Sequence, residues 1–404
     1  MAQFFAVTSK GLEIALAKEL NAYGAKRVSV SGTGVAFEGS WEDVYRLNLR
    51  LRTASRIIKP VLDFPAYQLD ELYNNIYNHN FVQYFSVDKT FKIDASVKES
   101  MISDQRMVAM KVKDAIADQF REEFGERPSV ENGSPDVRIL VKAYKNRFSV
   151  AIDTTGESLF QRGYRVDAGP APLKETVAAG LLLLADWDMK TPIYDPMCGS
   201  GTILIEAALM AMNFSPGLLR KEFGLMKLNN FDPELWDSAV QAEIEREDDS
   251  ALLPGGEQEA HSEGGQLEKR KAKEVKEDVA KNWMFCGSDI DKKVLGFAKI
   301  NAKRAGVDHL INFKSDSVAT IVPPFEKGII FVNPPYGARL GDEDNLRDVY
   351  RDFGFSLRKK FSGWTAWILS GNKDLIPLLS LKAERRIPVY NGQLECRLLK
   401  YVIK

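Results

Sequence analysis

The chain has 404 residues, of which 45% are hydrophobic and 27% charged, and its net charge is −1. This length predicts two or three domains, and the composition is typical of a soluble globular protein. Its three cysteines, Cys198, Cys286 and Cys396, are scattered and form no CxxC pair, which indicates neither a disulfide framework nor a zinc site and fits the cytoplasm. The apolar run at 181–185 is too short to span a membrane, and the N-terminus lacks the pattern of an export signal.

The charge is unevenly spread along the chain. Residues 241–265 contain eight acidic residues and one base, Arg246, so the rest of the chain has a small positive net charge. Such an excess permits RNA binding without requiring it. Residues 250–265, rich in Gly, Glu and Ser, predict a surface loop between helical flanks at 236–247 and 267–281. We therefore expect a charged insertion at about 241–281.

The N-terminal part predicts two small α+β units. Strands are predicted at residues 4–7, 28–30 and 34–37, with a helix that carries Leu12, Leu16 and Leu20 and ends at Gly24, and a second helix at 41–55. The second unit begins near residue 63. Its predicted elements are a strand of period two at 91–97, a helix at 104–124 and a strand pair at 137–142 and 148–153.

From about residue 171, strands and helices alternate. This pattern predicts a parallel sheet with helices on both faces. The predicted strands are 193–194, 284–288, 311–314, 329–332, 365–369 and 396–402, and the predicted helices between them include 202–212 and 292–305.

A glycine-rich turn, residues 195–202 (DPMCGSGT), follows the first of these strands. Gly199 and Gly201 lack a Cβ, so a ligand can approach the backbone where the next helix begins. A dinucleotide-binding turn would have a third glycine at position 204, where this chain has Leu204. This difference weakens the hypothesis that the turn binds a pyrophosphate. Asp195 instead suits a ligand with a cationic amino-acid end, such as S-adenosylmethionine. For the glycines alone, an ordinary tight turn is the alternative.

Acidic residues follow the next two strands. A carboxylate at the end of the second strand can accept hydrogen bonds from both ribose hydroxyls of an adenosine-containing cofactor. Asp289 is nearer that strand end, whereas Asp291 is better placed to cap the following helix. Asp316, after the third strand, can accept from the adenine amino group, with a simple turn acid as the alternative.

The fourth strand ends at residues 333–336 (NPPY). Two consecutive prolines cannot continue a sheet, so Asn333 is projected beyond the strand end, where ligands bind in such sheets. The Asn333 side-chain oxygen and the Pro334 carbonyl can accept both hydrogens of an exocyclic amine and orient its lone pair. Catalysis would then rest on orientation and electrostatics, and Tyr336 could stack on a flipped base. The alternative is a strand that merely ends at prolines.

In this order the motifs resemble those of class I methyltransferases that act on amino groups. More narrowly, the chain resembles the THUMP-domain family of bacterial large-subunit rRNA guanine-N2 methyltransferases. The strings that carry this resemblance are residues 161–165 (QRGYR), 171–175 (APLKE), 195–202 (DPMCGSGT), 287–291 (GSDID) and 333–340 (NPPYGARL).

The resemblance implies an α/β fold: a Rossmann-like methyltransferase domain with a mixed seven-stranded sheet, preceded by α+β units. The implied domains are a ferredoxin-like segment at 1–60, a THUMP RNA-binding domain at 61–165 and the methyltransferase domain at 166–404. Longer family members carry a second methyltransferase domain, and we expect here the form with one.

The expected reaction uses S-adenosylmethionine and the N2 amine of a guanine in 23S ribosomal RNA or a pre-ribosomal particle, with no metal ion and no membrane. The residues assigned to the cofactor are Asp195, Pro196, Cys198, Gly199, Gly201, Thr202, Asp289 and Asp316. Those assigned to base handling and methyl transfer are Asn333, Pro334, Pro335 and Tyr336. Those assigned to RNA are Lys142, Arg147, Arg162 and Arg165. For Lys142 and Arg147 a solvated surface is the alternative, and for Arg162 and Arg165 a contact with the neighbouring domain. Cys198 lies inside the cofactor turn, so we expect a packed thiol and not a nucleophile.

Four other functions compete with this one. Methylation of tRNA guanine N2 is the main alternative, since THUMP modules often bind tRNA. A DNA adenine-N6 methyltransferase would use the same NPPY chemistry, but the RNA-binding module argues against it. A non-catalytic RNA-binding protein would not need Asp289, Asn333 and the glycines together. A nicotinamide dehydrogenase is disfavoured by the incomplete glycine motif.

Overall fold

The structure, a computed structural model, describes residues 1–166, 173–248, 284–335 and 343–404. The predicted loop at 250–265, the predicted helix at 267–281 and Tyr336 lie outside the described residues. The described strands form two seven-stranded sheets.

The first sheet is built from the N-terminal 153 residues. Its strands are β1 (Ala2–Thr8), β2 (Lys26–Ser31), β3 (Gly34–Gly39), β4 (Ala54–Pro65), β5 (Phe91–Lys98), β6 (Val137–Tyr144) and β7 (Arg147–Asp153). They lie in the order β2-β3-β1-β4-β7-β6-β5, and every neighbouring pair is antiparallel except β5 with β6. The two predicted α+β units thus share one sheet.

Strand β4 joins these two units. Its first part pairs with β1 and the rest with β7, from Ile58 opposite Asp153 to Pro65 opposite Arg147. The predicted domain boundary between residues 60 and 61 falls inside this strand. Because the strand has 12 residues, it is long enough to serve both units without a linker.

The helices over the first sheet are Glu13–Ala22, Trp41–Arg50, Leu69–Tyr77 and Gln105–Phe124. The helix predicted at 41–55 ends earlier, at Arg50. Its continuation is prevented because the buried carboxylate of Glu19 accepts hydrogen bonds from the backbone N–H groups of Arg52 and Thr53. These contacts draw the chain out of the helix and into β4.

The second sheet forms the C-terminal body. Its strands are β8 (Ile193–Asp195), β9 (Phe285–Asp289), β10 (Ile311–Ser315), β11 (Ile329–Val332), β12 (Thr365–Ser370), β13 (Arg385–Asn391) and β14 (Leu394–Val402). The order is β10-β9-β8-β11-β12-β14-β13, with β14 antiparallel to both of its neighbours and the other pairs parallel. The predicted mixed seven-stranded sheet is confirmed.

The described helices of this body are Glu175–Leu184, Thr202–Ala211, Lys292–Arg304 and Glu343–Lys360, whereas the helix Pro233–Asp248 packs on Trp41–Arg50 of the N-terminal body. Strand β8 lies between β9 and β11. After β8 the chain therefore forms β9 and β10 on one side of it and then crosses to form β11 on the other side. In open α/β sheets, ligands bind at the carboxyl ends of the strands at such a switch point. The topology therefore places a ligand site beside Asp195, the last residue of β8.

The two bodies share hydrophobic packing. Phe223, Leu225 and Trp236, which follow the helix Thr202–Ala211 in sequence, are buried in the core under the first sheet. In the other direction, Leu12 packs in the core of the second sheet. The N-terminal and C-terminal bodies are thus joined by packed side chains as well as by the chain itself.

Candidate active site

Four predicted site residues come together at one edge of the second sheet. Asp195 ends β8, Asp289 ends β9, Asp316 follows β10 and Asn333 follows β11. These four strands are parallel neighbours, so their carboxyl ends lie along the same edge. The Asp316 N–H donates to the backbone carbonyl of Asp289 at 3.2 Å, which ties two of the strand ends together.

The glycine turn has the backbone that its sequence predicts. Gly199 and Gly201 have φ values of +54° and +81°, in the left-handed region that favours glycine. The Gly199 N–H donates to Asp289 Oδ2 at 2.9 Å. A Cβ on Gly201 would lie 3.2 Å from the Phe313 ring, whereas one on Gly199 would meet nothing within 4 Å. The positive φ thus favours glycine at both positions, and at position 201 the Phe313 ring also leaves little room for a side chain.

Asp195 lies buried beneath this turn, with 2% of its surface exposed. One carboxylate oxygen accepts from the Met197 N–H at 3.2 Å, and no lysine or arginine of the described residues lies within ion-pair distance. Burial, and then the nearby Asp289, raises the pKa of the Asp195 carboxyl well above its ordinary value. A cationic ligand group would offset that cost by stabilising the carboxylate. The site therefore fits the amino group of S-adenosylmethionine.

The two acids at the end of β9 and just after it, Asp289 and Asp291, have distinct partners. Asp289 accepts from the Gly199 N–H with one carboxylate oxygen and from the Asp291 N–H with the other, at 3.0 Å. Asp291 caps the helix Lys292–Arg304, as predicted, by accepting from the first backbone N–H groups of that helix. Asp289 thus positions the glycine turn, and its contact with a ribose stays a prediction.

Asp316 has the contacts of a turn residue. Its Oδ1 accepts from the Ser317 N–H at 2.9 Å and from the Thr320 hydroxyl. Among the described residues, no hydrogen bond engages its second oxygen, Oδ2. That oxygen can accept from an adenine amino group, and this contact stays a prediction.

Asn333 differs from these residues because its side-chain oxygen is buried without a hydrogen-bond partner among the described residues. An unsatisfied buried acceptor costs about 1–3 kcal/mol. A donor brought by a ligand would remove this cost. Pro334 is buried and Pro335 is partly buried, which fixes the chain where it leaves β11. Tyr336 lies outside the described residues, so the stacking predicted for it stays a prediction.

Cys198 and Pro196 attach the turn to β9. The Cys198 N–H donates to the Ser288 carbonyl at 2.9 Å, and the Ser288 hydroxyl contacts the Pro196 carbonyl at 3.4 Å. Burial, followed by the charge of Asp195, raises the pKa of the Cys198 thiol well above its ordinary value. The thiol is buried, as expected, and the prediction that it is no nucleophile stays a prediction.

Two residues that the sequence reasoning missed support the turn. A Cβ on Gly287 would lie 2.7 Å from Leu204, so this glycine lets the helix Thr202–Ala211 pack closely on β9. Asn301 is fully buried and donates to the Ser200 carbonyl at 3.1 Å. A glycine inside a strand was a usable signal for the first. The second had none, because Asn301 contacts the turn only in three dimensions.

The residues predicted to bind RNA divide into two pairs. Lys142 and Arg147 are exposed on β6 and β7, where phosphates could reach them, although Arg147 also pairs with Asp63. Arg162 is 1% exposed and donates to the carbonyls of Leu159 and Arg52.

This burial corrects the role expected for Arg162. Its guanidinium also lies 3.6 Å from the buried carboxylate of Glu206, so it is a structural residue at the junction and does not face phosphates. Arg165 is likewise engaged within the protein, with hydrogen bonds to Glu175, Ser200 and Thr202. The charge of these two arginines alone did not reveal that their partners are internal.

Within the described ranges, no helix combines the length and apolar character that a membrane crossing requires. The same residues contain no group of three or more His, Cys, Asp or Glu side chains placed to hold a metal ion.

Family models match three parts of the chain. Residues 162–400 match UPF0020, the RMKL-like methyltransferase domain. Residues 3–58 match the RlmL ferredoxin-like domain, and residues 66–153 match the THUMP domain.

Similar proteins extend these matches. The chain is 36% identical to a putative RNA methyltransferase, slr0064, of Synechocystis sp., over 98% of this chain and 96% of that protein. It is 39% identical to the ribosomal RNA large subunit methyltransferase K/L of Vibrio campbellii, over 100% of this chain but 54% of that protein. Among solved structures, SMU.472, a putative methyltransferase complexed with SAH, superposes with a TM-score of 0.82 at 28% identity, covering 100% of this chain and 98% of that one.

The strand-end site lies wholly inside the region that matches the methyltransferase model, and that region is more than half of the chain. The chain spans about half the length of the K/L relatives that it matches. The order of motifs, the mixed sheet and the similarity over nearly the whole of slr0064 agree with each other. The chain therefore belongs to the RMKL-like methyltransferase family, with ferredoxin-like and THUMP domains before the methyltransferase domain.

Proposed function

We propose that this protein transfers a methyl group from S-adenosylmethionine to the exocyclic N2 amine of a guanine in 23S ribosomal RNA. The single observation that carries the proposal is that Asn333 Oδ1 is buried with no hydrogen-bond partner among the described residues. In the same described part of the chain, the buried carboxylate of Asp195 at the glycine turn has no ion-pair partner. The first needs a hydrogen-bond donor and the second a cation. An amine substrate and S-adenosylmethionine supply these two groups.

The protein's own residues would hold the cofactor at three points. Asp195 binds its amino group, Asp289 its ribose and Asp316 its adenine, while Gly201 leaves the backbone open. When bound, S-adenosylmethionine supplies an electrophilic methyl group on a sulfonium. Each contact pairs an acceptor on the protein with a donor on the ligand.

Asn333 acts on the other reactant. By accepting a hydrogen bond from the target amine, its Oδ1 orients the nitrogen lone pair toward the methyl group. A bond forms between that nitrogen and the methyl carbon, the carbon–sulfur bond breaks, and its electron pair stays on sulfur. The amine then loses one proton to solvent. Because the hydrogen bonds to the amine localise this lone pair on nitrogen, no base is needed before the transfer.

Three features support RNA as the substrate. Residues 66–153 match the THUMP domain, Lys142 and Arg147 are exposed on it, and relatives are named as RNA or ribosomal RNA methyltransferases. Exposed lysine and arginine bind phosphates in any RNA, so the choice of 23S rRNA or a pre-ribosomal particle rests on the relatives and the motif resemblance. A cytoplasmic location follows from such a substrate.

The proposal can be tested by incubating the full chain with labelled S-adenosylmethionine and separate substrates: 23S rRNA, ribosomal precursor particles, tRNA and duplex DNA. Nucleoside mass spectrometry of the product would identify the methylated atom. We expect N2-methylguanosine in 23S rRNA or in the precursor particles. Label found only in tRNA would favour the tRNA enzyme, and N6-methyladenosine in DNA would contradict RNA specificity.

A further inference from the structure

Arg165 lies in the segment that leads from the first sheet into the methyltransferase domain, and its guanidinium makes four hydrogen bonds. Nε donates to Glu175 at 2.7 Å and Nη1 to the Ser200 hydroxyl at 3.1 Å. Nη2 donates to the Thr202 hydroxyl at 3.0 Å and to the Leu173 carbonyl at 3.1 Å. Two of the four acceptors therefore belong to the cofactor turn.

The charge of Arg165 is compensated inside the protein. Its partner Glu175 has a side chain only 4% exposed, and the Arg165 side chain is 17% exposed. A planar guanidinium can satisfy several acceptors in fixed directions, which a lysine ammonium cannot reproduce. This arrangement directs the arginine toward the turn, where it is unsuited to bind a phosphate.

Ser200 and Thr202 flank Gly201, whose φ of +81° is in the left-handed region. Both residues are buried, and the Arg165 guanidinium bridges their hydroxyls. The bridge constrains the backbone on either side of the glycine. Without it, the turn could adopt other conformations that are not competent to bind a ligand.

Val166, the residue after Arg165, is linked to the same turn through Asn301. The Val166 N–H donates to Asn301 Oδ1 at 2.9 Å, and Asn301 Nδ2 donates to the Ser200 carbonyl at 3.1 Å. Ser200 is thus held through its hydroxyl by Arg165 and through its carbonyl by Asn301. Residues 165 and 166 both hold the turn, by independent contacts.

We propose that Arg165 is a positioning residue for the cofactor turn and sets the affinity for S-adenosylmethionine through Ser200 and Thr202. This inference rests on the proposed function, because it takes the turn to be the cofactor site. If only a fraction of molecules has the competent turn, the apparent dissociation constant increases in inverse proportion to that fraction. Arg165 keeps that fraction high.

The test measures three quantities for Arg165→Ala. We expect the dissociation constant for S-adenosylmethionine to rise about tenfold or more, as for the loss of charge-assisted hydrogen bonds. At saturating cofactor, kcat should stay within about twofold, because Asn333 is unchanged. The dissociation constant for rRNA should equal that of the wild type. Arg165→Lys keeps the charge but not the planar geometry, and its cofactor affinity should lie between those of the other two proteins.

Arg220→Ala is the matched control. Arg220 lies at the same junction and donates to the carbonyls of Ser158 and Glu157, both at 2.8 Å, but to no residue of the turn. Its replacement should lower the melting temperature and leave cofactor affinity unchanged. Equal losses of cofactor affinity in both variants would overturn the proposal, because they would indicate general destabilisation.

Two other results would also overturn it. One is wild-type cofactor affinity in Arg165→Ala. The other is weaker rRNA binding with unchanged cofactor affinity, which would make Arg165 an RNA contact. If Arg165→Ala does not fold, the same criteria apply to Arg165→Lys. A wild-type protein that binds no S-adenosylmethionine in calorimetry would contradict the proposed function itself, so the two failures can be told apart.

Discussion

The cofactor side and the catalytic side of the site differ in how their polar groups are satisfied. On the β8–β9 side, the Gly199 N–H donates a hydrogen bond to Asp289, and the Ser200 carbonyl accepts one from Asn301. On the β11 side, the Asn333 oxygen is buried and unpaired among the described residues. The turn is thus organised before any ligand binds, whereas we propose that the acceptor at β11 receives its partner from the substrate. Cofactor affinity and methyl transfer should therefore respond to different mutations.

The largest expected effect is on the turn itself. Gly201→Val should abolish detectable binding of S-adenosylmethionine, because a β-branched side chain does not suit φ of +81° and would press against Phe313. Gly199→Ala should have a smaller effect, of about 1 kcal/mol, since space is open there. Calorimetry with both variants checks this, and circular dichroism controls for folding. Equal affinities in the two variants would show that space around Gly201 is irrelevant.

Asn333→Ala should slow methyl transfer and leave cofactor binding intact, whereas Gly201→Val removes cofactor binding. We expect kcat to fall by about 100-fold or more, the usual effect of removing a positioning and electrostatic contact. Cofactor affinity should remain that of the wild type, because Asp195 and Gly201 are unchanged. Asn333→Asp should keep part of the activity, since a carboxylate also accepts hydrogen bonds. Single-turnover rates at saturating cofactor measure this, and a wild-type rate in Asn333→Ala would reduce the NPPY motif to a strand end.

The Asp195 carboxyl should couple cofactor binding to pH. Burial and Asp289 raise its pKa above the ordinary 3.8, so its contribution to stability is complete below pH 3.8 and is lost as the pH rises toward the folded-state value. A bound ammonium stabilises the carboxylate, so cofactor binding should release a proton. Calorimetry in buffers of different ionisation enthalpy detects this release. Asp195→Asn should bind S-adenosylmethionine about tenfold more weakly or worse and release no proton from this site. An unchanged release would assign it to another group.

The smallest effect is expected on the first sheet. Replacing Lys142 and Arg147 together by alanine should weaken RNA binding and reduce the slope of log affinity against log salt by about 2. Binding of S-adenosylmethionine should not change, because both side chains lie outside the second sheet. Titrations of rRNA at several salt concentrations measure the slope. An unchanged slope would place the phosphate contacts elsewhere.

The sequence predicts six of the seven strands of the second sheet, but not β13, and places the motifs correctly at the strand ends because their signals are local. A strand, a glycine turn and a helix follow each other within a few residues, and the functional groups lie where the strands end. Strand β4 and the early end of the helix Trp41–Arg50 could not be predicted in this way. They depend on Glu19, which is distant in sequence and binds the backbone at Arg52 and Thr53.

The partners of Arg162 and Arg165 likewise could not be predicted from local sequence. Arg162 and Arg165 have the charge of phosphate-binding residues, and only the fold reveals that Glu206 and Glu175 are their partners. The role proposed for Asn333 follows from chemistry, since an amide oxygen after a strand suits an amine. That this oxygen is buried without a partner among the described residues depends on packing around β11 and could not be predicted from the sequence.

The most direct test of the account is mass-spectrometric mapping of 23S rRNA from cells that lack this protein. We predict that N2-methylguanosine is lost at a defined position, that the wild-type gene restores it, and that a gene encoding Asn333→Ala does not, although the variant protein binds S-adenosylmethionine normally. Unchanged methylation of 23S rRNA in the deletion strain, or full restoration by Asn333→Ala, would contradict the account.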